Sequence, residues 1–147
     1  MGKVILIFKV LIAGILGGVL TSLALWVFDL AELFKLFSVP LSVPANIVPW
    51  MIERVIRDLP WALLLLLPLR TDLPQWQRGL VLGLGPGLVL LFFWLPAQGF
   101  GLMGLRGGLG LPLFALGFSL LWGSTTGYFL VLQGVGRRIP QDEEWTS

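Results

Sequence analysis

Glu53, Arg54, Arg57 and Asp58 stand close together in an otherwise oily chain. On a helix their spacing sets Glu53 beside Arg57 and Arg54 beside Asp58, both at i,i+4, which allows two ion pairs. Such a group suits either of two settings. At headgroup level, with its charges in water, it is the polar side of an interfacial helix. Inside a bundle it lines a polar vestibule or serves an ion or proton step, because ionisable groups in hydrocarbon are costly and turn towards an interior or a watery cavity. The residues alone leave both open.

A second group is Ser124, Thr125 and Thr126 with Tyr128. Together with Thr21 and Ser22 of the first apolar stretch these could form a polar layer able to hold a small ligand. The competing expectation is that mid-helix hydroxyls bond back to backbone carbonyls or to a neighbouring helix.

Other chemistry is narrowed by what is missing. With Cys 0 and His 0, this chain has no thiolate nucleophile, no disulfide and no imidazole base or ligand. No metal site, cofactor or catalytic residue is expected. A net charge of +2 does not suggest a nucleic-acid partner. Gly99-Phe100-Gly101-Leu102-Met103-Gly104 matches G-x-G-x-x-G by letter only. The dinucleotide motif needs a preceding strand, a following helix and an acid about 20 positions on, whereas the next acid here is Asp142. A flexible loop outside the membrane is expected there. Gly83-Leu84-Gly85-Pro86-Gly87 lacks a P-loop lysine and reads instead as a kink at Pro86.

The elements that must position these residues are set by the bilayer. Hydrophobic residues make up 56% of the 147 positions and charged residues 12%, against about 25% charged in soluble domains. Residues 10–28, 79–105 and 107–136 carry no charge at all, and each run is close to or longer than the ~20 residues a spanning helix needs. A fourth crossing is assembled from Asn46 to Leu59, amphipathic, and Pro60 to Leu69, apolar. On the first part Ile47, Val48, Met51, Ile52, Val55, Ile56 and Leu59 share one face, with the four charges on the other. The expected fold is all-α, a four-helix transmembrane bundle with an amphipathic segment before or within helix 2. Its helices cover about 4–28, 46–69, 79–97 and 111–134, in one domain of residues 1–136, with a polar cytoplasmic tail over 137–147. The first helix could continue amphipathically to Phe37, and the paired Val-Pro steps of 38–50 give an extended connector. Ser22-Leu23-Ala24 resembles a signal-peptidase site, but the apolar run continues past it to Phe28, so the helix is expected to be retained.

Lys3, Lys9, Arg70, Arg78, Arg137 and Arg138 fall on one side of such a bundle. Lys35 and Arg106, with Arg54 and Arg57 at most, fall on the other. The positive-inside rule then sets both termini in the cytoplasm, and the composition suits a bacterial inner membrane. Trp26, Trp50 and Trp94 come at outer helix ends, where an aromatic belt belongs. Trp76 falls in the inner loop, and Trp122 fits no belt.

Small residues repeat every fourth position: Gly14, Gly18 and Ser22; Gly79, Gly83 and Gly87; Ser119, Gly123 and Gly127. Each series makes a groove that lets another backbone approach, either within this bundle or between copies.

Ala13-Gly14-Ile15-Leu16-Gly17-Gly18, Arg78-Gly79 with Gly83, and Trp122-Gly123 with Gly127 together resemble the uncharacterised small bacterial inner-membrane proteins of the YagU-like kind. The resemblance implies a four-helix layout and no activity. That family's basic Pro-Pro-Arg connector has no counterpart here; Val39-Pro40 and Val43-Pro44 are nearest.

Three functions follow from these readings. The first is a non-catalytic packing, assembly or accessory protein whose partners are the lipid bilayer and itself or other membrane subunits. The second is a small oligomeric transporter or channel with a charged vestibule on helix 2. The third, a lipid-acting membrane enzyme, is disfavoured by the missing His and Cys.

Overall fold

A computed structural model describes residues 2–67 and 72–135. Arg70, Arg137, Arg138 and the expected 137–147 tail lie outside the described residues. Within them the chain is helical, with no strand.

Three helices are long and apolar enough to cross a membrane: α1, Gly2–Leu30; α4, Gln75–Val89, which runs on to Ala97; and α6, Gly110–Leu132. Between α1 and α4 lie the short α2, Leu33–Leu36, and α3, Ile47–Ala62, which tightens into a 3₁₀ turn over Leu63–Leu66. α4 passes through Pro86 as a helix and then widens into a π turn at Leu90–Trp94 before the short α5, Leu95–Ala97. The irregularity expected at Pro86 thus falls later, between Pro86 and Pro96. Neither proline has an amide to donate, and a π turn absorbs the missing ladder bonds.

The first helix does not continue smoothly to Phe37. Glu32 adopts φ 55° and Ser38 φ 53°, both left-handed, so the chain breaks on either side of α2. The break folds Phe34 and Val39 into the core, with exposures of 1% and 5%. The Val43 amide donates to Asp29 Oδ2 at 3.1 Å, which pins the connector to the end of α1. Lys35 and Glu32 meet at 2.9 Å in solvent. The hydrogen bond and charge of Glu32 push the Lys35 ammonium above its ordinary range.

The glycine-rich connector is not a slack loop. Its 3₁₀ turn, Leu102–Gly107, reverses through left-handed Met103 and Gly104. Gly104 is buried with φ +76°, and a Cβ there would meet Leu95 Cδ1 at 2.7 Å. Only glycine satisfies both demands.

The packing order follows from residue pairs along the seams. Lys9 Nζ donates to the Gln133 carbonyl at 2.8 Å, and Gln133 Nε2 returns a bond to the Lys9 carbonyl at 3.1 Å. The lysine is also well placed against the negative end of the α6 dipole. Further along, Gly17 faces Thr126, and Phe28 faces Phe114 and Phe118, so α1 and α6 are antiparallel. Gly14 meets Ala62 and Gly18 meets Val55, which makes α1 and α3 antiparallel too. Gly79, Gly83 and Gly87 lie along Gly127, Gly123, Ser119 and Leu116, which fixes α4 antiparallel to α6. Two cores result. One joins Leu25, Phe34, Val39, Leu95, Leu111 and Phe118 at the connector end, and the other joins Val10, Ala13, Ala62, Leu65, Trp122 and Leu130 at the opposite end.

All three small-residue series are therefore used inside the bundle. A Cβ on Gly83 would lie 2.7 Å from the Ser119 carbonyl oxygen, and one on Gly14 would lie 2.7 Å from Ala62 Cβ. Among the described residues these grooves are filled by the chain's own helices, so they are not free for another copy.

Candidate functional site

α3 has three sides. Val55 and Ala62 pack on α1 and are buried. Val48, Ile52, Ile56, Leu63 and Leu67 point out of the bundle at 59%, 54%, 61%, 40% and 44% exposure. The third side carries Trp50, Arg54, Arg57, Asp58 and Trp61 towards two adjoining cavities of 150 and 330 Å³. The apolar face expected from sequence is thus divided, one part meeting α1 and the other turned outwards.

Arg54, Arg57, Leu90, Trp94, Phe118 and Ser119 line both cavities; Asp58, Trp61 and Trp122 complete the smaller, while Glu53 and Trp50 border the larger. The cluster sits level with the middle of α1. Val55 sits against Gly18, near the middle of the α1 stretch between the Lys9 clasp and Leu30.

The expected i,i+4 ion pairs do not close. Among the described residues, the cluster's one ion contact is Arg57 Nε to Asp58 Oδ1 at 3.9 Å, between side chains 47% and 17% exposed. Each guanidinium instead lies over an indole: Arg54 over Trp50 at 5.8 Å and Arg57 over Trp94 at 5.7 Å from the ring centroid. A ring face attracts a cation by about 0.5–2 kcal/mol, most where water is scarce, but it accepts no in-plane N–H bond. Arg54 Nε is buried without an acceptor, and so is Trp122 Nε1 of another cavity-lining residue. Two buried donors beside one cavity are unusual, since such groups nearly always find a partner.

Trp94, expected in an interfacial belt, also forms part of the cavity wall; it is 42% exposed and ends the π turn. Trp122, which fitted no belt, closes the cavity towards the core of Val10, Ala62 and Leu130. These two roles were invisible in the sequence; the offsetting of Trp122 from every helix end was the only hint.

The hydroxyl group divides differently. Thr21 Oγ1 donates to the Gly17 carbonyl at 2.8 Å, Thr125 Oγ1 to that of Leu121 at 2.8 Å, and Thr126 Oγ1 to that of Trp122 at 2.7 Å. Each turns back on its own helix. Ser22 is buried with its Oγ unpartnered, Ser124 is half-buried, and Tyr128 stands 55% exposed, apart from the others. These residues line neither charged cavity; Ser119, expected only as a packing residue, lines both. No cluster of three or more metal-ligating side chains occurs among the described residues.

Comparison with protein-family models, with curated proteins and with solved structures finds no match to this chain.

Proposed function

We propose that the chain is a four-span membrane protein, without catalytic machinery, that holds an anionic group in an internal two-arginine vestibule. In this reading α3 and its 3₁₀ extension form the fourth crossing, and both termini face the cytoplasm of a bacterial inner membrane. The single observation that carries it is the inverted amphipathicity of α3. Its exposed stripe from Val48 to Leu67 is apolar, while Arg54 and Asp58 turn into a cavity where the Arg54 Nε and Trp122 Nε1 donors lack acceptors. Arg57 lines the same cavity half-exposed, and Glu53 is exposed beside the larger one. An interfacial helix would present its charges outwards to water. A lipid-facing helix keeps its ionisable groups towards the bundle interior.

The cluster is formally neutral, Glu53 and Asp58 against Arg54 and Arg57. Glu53, however, is exposed at the border of the larger cavity, and the arrangement of the other three leaves a cation for an anion. Asp58 leans to Arg57, and Arg54 makes no ion contact among the described residues. Guanidinium groups grip phosphate and carboxylate through paired N–H bonds. The inner core around Val10, Leu65, Trp122 and Leu130 closes the far end, which favours holding a ligand over conducting an ion through one copy.

The test uses purified protein in neutral detergent, titrated with glycerol 3-phosphate or glycerol. A ligand specific for the native state at about 100 times its Kd adds ~2.7 kcal/mol, so a saturable rise in melting temperature is expected with glycerol 3-phosphate only. Arg54→Gln with Arg57→Gln should remove it. An equal response to glycerol, or an unchanged response in the double variant, would end the anion-binding reading.

A further inference from the structure

A third hollow opens on the outer flank of α6. It is a groove of 440 Å³ lined by Phe28, Leu113, Phe114, Gly117, Phe118 and Leu121, and it is almost wholly apolar. Gly117 forms its floor: a Cβ there would meet nothing within 4 Å. Phe114 and Phe118 are the shared wall, belonging both to this groove and to the 330 Å³ charged cavity. They belong to a run of rings rather than to close-packed aliphatics. Phe28 lies edge-on to Phe114 and Phe118 at 5.9 and 5.3 Å, and Phe114 stacks on Phe118 at 6.1 Å.

A charged cavity and an apolar trough therefore meet at two aromatic side chains. We infer that the ligand of the vestibule is an anionic phospholipid drawn sideways from the surrounding bilayer, its headgroup on Arg54 and Arg57 and one acyl chain in the Gly117 groove. This rests on the anion-binding reading above and adds the tail. The charge of the arginines selects the head, the groove takes the hydrocarbon, and Phe114 and Phe118 part between them. A soluble anion would need no such groove, and a neutral lipid would leave Arg54 without an ion contact.

Gly117 is the discriminating position, because a side chain there fills the groove without touching the helix seams. The probes are 1-oleoyl lysophosphatidic acid and glycerol 3-phosphate, which share a headgroup and differ by the chain, measured on full-length protein in neutral detergent. Wild type should bind the oleoyl compound at least about tenfold more tightly than glycerol 3-phosphate. Gly117→Leu should erase most of that difference while leaving glycerol 3-phosphate binding within about twofold. If Gly117→Leu keeps the oleoyl preference while Arg54→Gln with Arg57→Gln abolishes binding of both probes, the groove assignment is wrong and the vestibule survives. If the arginine pair can be replaced without effect on either probe, both fall together. Unchanged melting of ligand-free Gly117→Leu confirms that a loss of binding is not a loss of fold.

Discussion

Gly83→Leu should abolish the folded state, giving aggregated protein in a mild detergent that keeps the wild type monodisperse. The reason is the seam between α4 and α6. A Cβ on Gly83 would already stand 2.7 Å from the Ser119 carbonyl oxygen and 3.2 Å from Gly123 Cα, both backbone atoms. Backbone cannot swing aside as a side chain can, so the two helices must separate along their length. Overpacking a core costs ~1–3 kcal/mol when side chains can adjust, and here they cannot. Lipid offers no hydrophobic penalty for exposing the parted faces, so close packing is most of what holds them. Gly117→Leu on the same helix pair, facing open space, is the matched control. Size-exclusion profiles of the two variants side by side read the difference; a monodisperse Gly83→Leu protein would show that the seam is not as tight as described.

The second large effect is an asymmetry within the charged cluster. Asp58→Asn should destabilise the ligand-free protein by about 2 kcal/mol, below the ~3–5 kcal/mol of a fully buried pair, because the Arg57 side chain is 47% exposed. The substitution leaves two guanidiniums near one another with their inward carboxylate neutralised. Arg54→Met should do the reverse and hold or raise stability, since it removes a desolvated cation whose Nε has no acceptor and keeps the aliphatic bulk against Trp50. An unsatisfied buried donor costs about 1–3 kcal/mol, against ~0.5–2 kcal/mol gained over the indole. A stabilising loss of this arginine would fit the trade-off between stability and function at binding sites. Glycerol 3-phosphate should rescue Asp58→Asn more than it stabilises wild type, because the anion replaces the missing charge. Unfolding curves for the three proteins with and without the ligand settle the matter, and a destabilised Arg54→Met would mean that this arginine is structural.

How far all this was legible in the sequence depends on whether a feature is local. The three charge-free runs are properties of single segments, and the helices Gly2–Leu30, Gln75–Ala97 and Gly110–Leu132 follow them closely. The glycine series told that backbones would meet but not which ones. The pairing of Gly79 and Gly83 with Gly123 needs the third dimension. The orientation of α3 was ambiguous for a physical reason. The same alternation serves a helix lying on a membrane and one lying within it, because lipid rewards an apolar outer face as a core rewards an apolar inner one. Ile52, Ile56, Val55 and Leu59 read as one stripe in sequence, and only the position of α1 divides them. The left-handed turns at Glu32 and Ser38 were illegible because neither residue is a glycine or asparagine that would announce positive φ. The π turn that ends at Trp94, beside Arg57, lies between two prolines, and each alone suggests a kink elsewhere.

All of the ligand chemistry depends on residues 47–66 passing through the bilayer. With no native cysteine, single cysteines at Ala45 and Asp72, one before α3 and one after its 3₁₀ extension, can be labelled by a membrane-impermeant maleimide in intact spheroplasts and in inverted vesicles. The fourth-crossing account predicts that Ala45→Cys reacts from outside only and Asp72→Cys from the cytoplasmic side only. Labelling of both from one side would place α3 at the surface and empty the vestibule of its meaning.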